Sequence, residues 1–203
     1  TFRNTSSHAS RRIPADRPGE NPTMEGHASV VLGATGGIGS ALCRRIAARG
    51  GRVLLAARDE AKLEALGGEL DMSFVTVDAA EPDDVKRAVA ACVDAHGRFD
   101  GIANCVGSIL LRPAHMTKVE DFDATVRTNL RSAVATVHAA AGALRKGGGS
   151  IVLVSTAAAR TGLPNHEAIA AAKAGVQGLA LSAAATYAPQ GVRVNVVAPG
   201  LVD

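Results

Sequence analysis

From residue 28 onward, short β-branched or apolar runs alternate with longer stretches of helical period. Six runs read as strands, at 29–32, 52–56, 73–77, 101–105, 150–155 and 192–197. Each is close to continuously apolar, the pattern of strands covered on both faces rather than the alternation of a half-exposed sheet. Helices are predicted between them at about 37–49, 59–69, 82–96, 117–145 and 166–187, with Asp59, Asp83 and Thr117 as capping or acidic residues near their starts. Strands joined by crossovers of this length pair in parallel through right-handed connections. The pattern predicts a doubly wound α/β domain of three layers, a parallel sheet between helices, with ligands beyond the carboxyl ends of the strands.

Composition narrows this picture. The 203 residues, 47% hydrophobic, suffice for one core and give no sign of two. Aromatic residues supply only 2%, so that core must be built from Ala, Val, Leu and Ile. Residues 1–26 are polar, contain Pro14, Pro18 and Pro22, and read as a disordered leader without a secretory signal; residues 27–203 form the predicted domain. Met24, just ahead of the first strand, is a candidate translation start. The net charge of +3 owes much to Arg3, Arg11, Arg12 and Arg17 of the leader, so no nucleic-acid partner is inferred from it. Cys43, Cys92 and Cys105 are odd in number and lack a CxxC pair, which fits reduced thiols in a cytoplasmic protein without disulfide or metal site. No apolar run approaches the roughly 20 residues of a membrane span, and a soluble protein is expected.

After the first strand comes Gly33-Ala34-Thr35-Gly36-Gly37-Ile38-Gly39, directly before a helix. Glycines permit a tight turn and close approach, and the positive helix end with its free N–H groups faces any anion there. The GxxxGxG spacing of Gly33, Gly37 and Gly39 resembles the short-chain dehydrogenase/reductase family, whose cofactor turn reads TGxxxGxG; Leu32 replaces the threonine. The resemblance implies a Rossmann-like fold, a nicotinamide dinucleotide cofactor and contacts from Thr35 and Ile38 along this turn. Where the family places an acid for the ribose of NAD the chain has Ala57, followed by Arg58, whose guanidinium can pair with a 2′-phosphate. NADP (NADPH) is therefore the expected cofactor, with NAD possible and a solvated Arg58 the alternative. Asp78 resembles the family's adenine-binding acid, and equally serves as a helix cap. Asn104-Cys105-Val106-Gly107 stands where the family has NNAG, keeping Asn104 and Gly107, and Pro199-Gly200 resembles its turn beside the nicotinamide carboxamide.

The catalytic pattern departs at one place. Asn129 resembles the family's helix-borne asparagine, which holds a water in a proton relay through the lysine. Thr156 falls on the serine that orients the substrate carbonyl, and Lys173 on the lysine of YxxxK, which the resemblance makes a cofactor-binding as well as a catalytic residue, but the tyrosine position is Ile169. Isoleucine donates no proton, and a positioned acid contributes typically about 10²–10⁴ in rate. Tyr187, the only tyrosine, lies eighteen residues further along the same predicted helix, about 27 Å away. His166 shares a helix face with Ile169 and Lys173 and is the candidate replacement donor, its alternative being a capping role.

Three readings remain: an oxidoreductase acting on a small-molecule carbonyl or alcohol, a nucleotide-binding protein without turnover, and a lyase, dehydratase or epimerase. The resemblance also implies a homodimer through the Ala-rich helices. It implies further that the chain stops short of the family's substrate-covering segment and seventh strand.

Overall fold

A computed structural model describes residues 23–200. The leader through residue 22 and the last residues of the carboxamide turn, Leu201, Val202 and Asp203, lie outside the described residues. Six strands follow the apolar runs: β1 Ala28–Leu32, β2 Arg52–Ala57, β3 Phe74–Thr76, β4 Gly101–Asn104, β5 Gly149–Val154 and β6 Val192–Val197. They form one parallel sheet of order β3-β2-β1-β4-β5-β6, the doubly wound, Rossmann-like order. The order reverses between β1 and β4, so the β1 and β4 turns open side by side.

The helices are α1 Gly37–Ala47, α2 Glu60–Leu70, α3 Pro82–His96, α4 Val119–Val126, α5 Ser132–Leu144, α6 Ala158–Thr161 and α7 Glu167–Tyr187. One sheet face packs Leu32, Leu54, Ile151 and Leu153 against α3, α5 and α7, and the other packs Val31, Val53 and Leu55 against α1 and α2. Met24 joins the second cluster, and its amide donates to the Arg49 carbonyl at 2.9 Å, so residues 23–26 belong to this edge of the fold and not to a free leader.

Coverage on both faces holds for the inner strands only. The outer strand β3 is half-exposed, and β6 buries Val192 and Val194 under α7 while Arg193, Asn195 and Val197 face outward. The strands at the ends of the order have fewer neighbours to cover them. Asp59 caps α2 as expected, accepting from the Lys62 amide at 3.1 Å. Asp83 lies inside the first turn of α3, behind Glu81, and Thr117 caps no α-helix, because α4 starts after Lys118.

The single helix expected over 117–145 is instead α4, a π-helical turn at Arg127–Arg131, and α5. No proline or glycine marks this break. Polar side chains make it: the Asn129 amide nitrogen donates to the Thr125 carbonyl at 3.0 Å, and the Ser132 and Thr136 hydroxyls to the Thr128 and Ser132 carbonyls at 2.7 Å each. Such back-bonding competes with regular helix bonds, and π-turns of this kind gather at functional sites.

By length and composition alone the stretch Glu167–Gln190, which holds an 18-residue window of mean hydropathy 1.3, is apolar enough to cross a bilayer, a run the sequence reading did not count. In the fold, α7 lies against the sheet, burying Ala168, Ile169, Ala172, Lys173, Val176, Ala180 and Ala183.

Candidate functional site

The β1–α1 turn is held from beneath, with the Gly33 and Ala34 amides donating to the Ala56 carbonyl at 2.8 and 3.2 Å. Gly33 has φ +74°, and a Cβ there would lie 3.1 Å from the Cys105 and Val106 backbone. At Gly39 a Cβ would come within 2.1 Å of the Gly33 carbonyl oxygen, so turn and helix close only around glycine. At Gly37 a Cβ would meet nothing within 4 Å. No side chain caps α1 and no acid sits in its first turn, which leaves its leading N–H groups and positive end to an outside anion. Glycines packed below and open above form the cradle that a dinucleotide phosphate requires.

Beside the cradle lies a cavity of about 320 Å³ lined by Thr35, Arg58, Lys62, Asp78 and Arg127. Arg58 is exposed and has no hydrogen bond or salt bridge among the described residues, whereas Lys62 pairs with Asp59 at 2.9 Å. Burial works to raise the Asp78 carboxyl, but the Ala80 amide and the Arg127 guanidinium outweigh it and hold it below the usual carboxylate range. The Arg127 guanidinium bridges Asp78 at 2.8 Å and Glu81 at 2.9 Å. Asp78 thus stands on this wall with both oxygens already engaged.

A second cavity, of about 680 Å³, continues past Gly36 and Gly37 to β5 and α7 and contains Asn129, Thr156, His166, Ile169 and Lys173, with Pro199 and Gly200 at its edge. Ile38 and Ile109 are exposed at its mouth. Lys173 is 7% exposed, and its Nζ donates to the Val154 carbonyl at 2.8 Å. Burial pulls this amine down to about 8, with the neighbouring Cys105 thiol opposing, while burial pushes Cys105 itself up to about 11. Gly107 lies between Asn129 and Lys173: a Cβ there would sit 3.2 Å from Asn129 Oδ1 and 3.5 Å from Nζ. Thr156 Oγ1 accepts from the Ala158 amide at 3.3 Å, leaving its O–H for the cavity.

The expected residues do not all reach the cavities. Asn104 is buried behind the turn, its amide nitrogen donating to Ser132 and Thr136 and its oxygen accepting from Val106, so it shapes the wall without entering it. The Asn129 amide nitrogen is committed to Ser108 Oγ at 3.1 Å and the Thr125 carbonyl, leaving only Oδ1 toward Gly107 and the Ser108 amide. His166 is the residue preceding α7, and its Nδ1 faces the Pro164 carbonyl at 2.7 Å; a carbonyl only accepts, so Nδ1 carries hydrogen. Tyr187 ends α7, far from Ile169 at its start.

Four site residues carry no motif. Ser108 and Arg127 secure the two walls, and the Ser155 hydroxyl donates to the Lys173 carbonyl at 2.8 Å while accepting from Gln177 at 2.9 Å, fixing α7 to β5. Ser155 adjoins the predicted Thr156, and only adjacency in sequence could have drawn attention to it.

Comparison with known proteins agrees with this geometry. The chain is 37% identical over 186 residues to the sex determination protein tasselseed-2 of Zea mays, covering 87% of this chain and 55% of that protein. It is 34% identical over 185 residues to D-threitol dehydrogenase of Mycolicibacterium smegmatis, covering 88% of this chain and 71% of that one. The chain therefore spans little more than half of one relative and under three quarters of the other. A metagenomic short-chain oxidoreductase in complex with NADP superposes with TM-score 0.80 and 32% identity, covering 88% of this chain and 84% of that one. The family model for short chain dehydrogenase matches residues 27–203, which is the whole of the sheet and its helices, and the chain belongs to that family.

Proposed function

We propose that this chain is the nucleotide-binding core of an oxidoreductase that transfers hydride between a nicotinamide cofactor, NADP in preference to NAD, and a small-molecule carbonyl or alcohol. The observation that carries the reading is the pair of adjoining cavities over a glycine cradle, one beside the phosphate turn and the other containing Thr156 and Lys173. When bound, the cofactor supplies the hydride. The α1 turn, with Gly33, Thr35, Gly37, Ile38 and Gly39, would hold its phosphates, Asp78 its adenine side, and Gly107, Pro199 and Gly200 its nicotinamide side. Arg58, without a salt bridge among the described residues, favours a 2′-phosphate and hence NADP. Thr156 would donate to the substrate oxygen, and Lys173 and His166 share the wall with it as candidate sources of the proton. Ile38 and Ile109 at the mouth favour an uncharged substrate.

The named relatives and the NADP-bound neighbour support this reading, and Ile169 favours a second one, a nucleotide-binding protein without turnover. Fluorescence titration with NADPH and NADH, followed in the same cuvette by a panel of ketones and aldehydes, separates them. Tight NADPH binding with loss of absorbance on one substrate supports the oxidoreductase. Binding without consumption across the panel supports the second reading, and no binding sinks both. A homodimer is also inferred, since Val134 on α5 and Leu181 on α7 are exposed; a light-scattering mass of one chain would contradict it.

A further inference from the structure

The second cavity lacks the acidic hydroxyl that the family resemblance places at residue 169, so a substrate oxygen bound there must take its proton from another group. The titratable groups on the wall are three. Cys105 directly follows β4, His166 directly precedes α7, and Lys173 lies in α7; among the described residues α1, β5, α6 and the π-turn contribute none, and no carboxylate lines the cavity.

The three differ in placement. Cys105 is a thiol that burial makes a weaker acid, up to about 11. His166 lies outside the first turn of α7 and has already given Nδ1–H to Pro164, so it donates only as the cation, from Nε2. Lys173 lies one helical turn beyond Ile169, is 7% exposed, and spends one of its three N–H bonds on Val154. Among the described residues no other acceptor takes the remaining two. Gly107, without a side chain, keeps the space in front of Nζ open, because a Cβ there would stand 3.5 Å away.

We propose that Lys173 is itself the proton donor to the substrate oxygen, directly or through one water beside Ile169, and not only a fixed positive charge. This rests on the oxidoreductase reading above. In reduction, hydride adds to the carbonyl carbon, the π pair moves to oxygen, and that oxygen takes a proton from Nζ. The products are the alcohol and a neutral amine, which takes a proton from solvent before the next cycle. Desolvation lowers Lys173 to about 8, near the pH at which an acid is both protonated and willing to transfer its proton.

The test is the pH dependence of kcat/KM for carbonyl reduction by the full chain with NADPH, with NADPH binding followed by fluorescence. Expected is an alkaline decline near pH 8 in the wild type. Lys173→Arg keeps the charge but does not release its proton in this range, so it should lose on the order of 10²-fold in kcat/KM and the decline near 8, while still binding NADPH. Lysine side-chain NMR of the apo chain, assigned by the signal missing from Lys173→Arg, gives an independent readout and should show Lys173 titrating near 8. In His166→Ala the decline must persist. A decline lost with His166 and kept in Lys173→Arg overturns the proposal, as does Lys173 titrating in the ordinary lysine range. A wild type that binds NADPH and reduces nothing overturns the oxidoreductase reading instead, and this assignment with it.

Discussion

Ile169 is 4% exposed and fills its place on the cavity wall with a side chain that can neither donate nor accept. Substituting Ile169→Tyr places a phenolic acid one helical turn from the Lys173 ammonium, where a nearby cation eases ionisation. Carbonyl reduction should then rise on the order of 10²-fold in kcat/KM, followed by NADPH absorbance; an unchanged rate would mean that no carbonyl sits against this face. Lys173 makes a second prediction, about stability. Its amine is about 8 in the folded chain and in the ordinary lysine range when unfolded, so below pH 8 the fold carries a charge that its site disfavours. Stability should therefore increase as pH rises from about 8 toward 10.4. The cost at pH 7 is about 3 kcal/mol, against about 1 kcal/mol for the bond to Val154. The apo Lys173→Met variant should melt several degrees above wild type at pH 7, and calorimetry should find the gap closing above pH 10. A variant that melts lower at pH 7 would show that the lysine stem packs better than methionine.

The elements show where residue patterns carry structure and where they do not. Parallel strands buried between helices are continuous apolar runs, so β1, β2 and β4 were legible to within a residue of their ends. The division of 117–145 was not, because it depends on Asn129, Ser132 and Thr136 bonding to carbonyls four residues back, a choice that periodicity does not register. Helix α3 ends on His96, where the helix dipole would favour an imidazolium. Burial and the Arg52 cation outweigh that, and they hold His96 below the ordinary histidine range. A lowered folded value means that the unfolded chain binds the proton first. His96 thus contributes stability that is present above about pH 6.5 and is lost as pH falls below it. Denaturation in urea from pH 7.5 to 5 should show declining stability in wild type and a shallower decline in His96→Asn. Equal slopes would remove His96 as the source.

At the scale of the molecule, the sheet order and the glycine cradle follow from local pattern, while the site's fixings do not. Asp78 meets Arg127 across 49 residues of chain, and Ser155 meets Gln177 across 22, pairings that appear only once the crossovers are folded. The same long-range assembly puts the two cavities over both core clusters, since Ala56 and Val77 belong to one cluster and Ala57 and Cys105 to the other. A dinucleotide bound across them would tie the two halves of the sheet together, and ligand that binds only the folded state stabilises by about 2.7 kcal/mol at a hundred times its Kd. For a chain of this size that is a rise of roughly 5–10 °C in Tm. Arg58, exposed and without a salt bridge among the described residues, contributes little to the apo fold, so Arg58→Ala should leave the apo Tm within a degree or two of wild type. It should, however, remove most of the NADP-induced rise while sparing whatever rise NAD produces, because only the 2′-phosphate needs the guanidinium. Thermal unfolding of both proteins with each nucleotide decides this: equal losses for NADP and NAD would place Arg58 in general phosphate attraction, and an intact NADP shift would move the preference to Lys62, the cation beside it on that wall whose carboxylate partner is exposed.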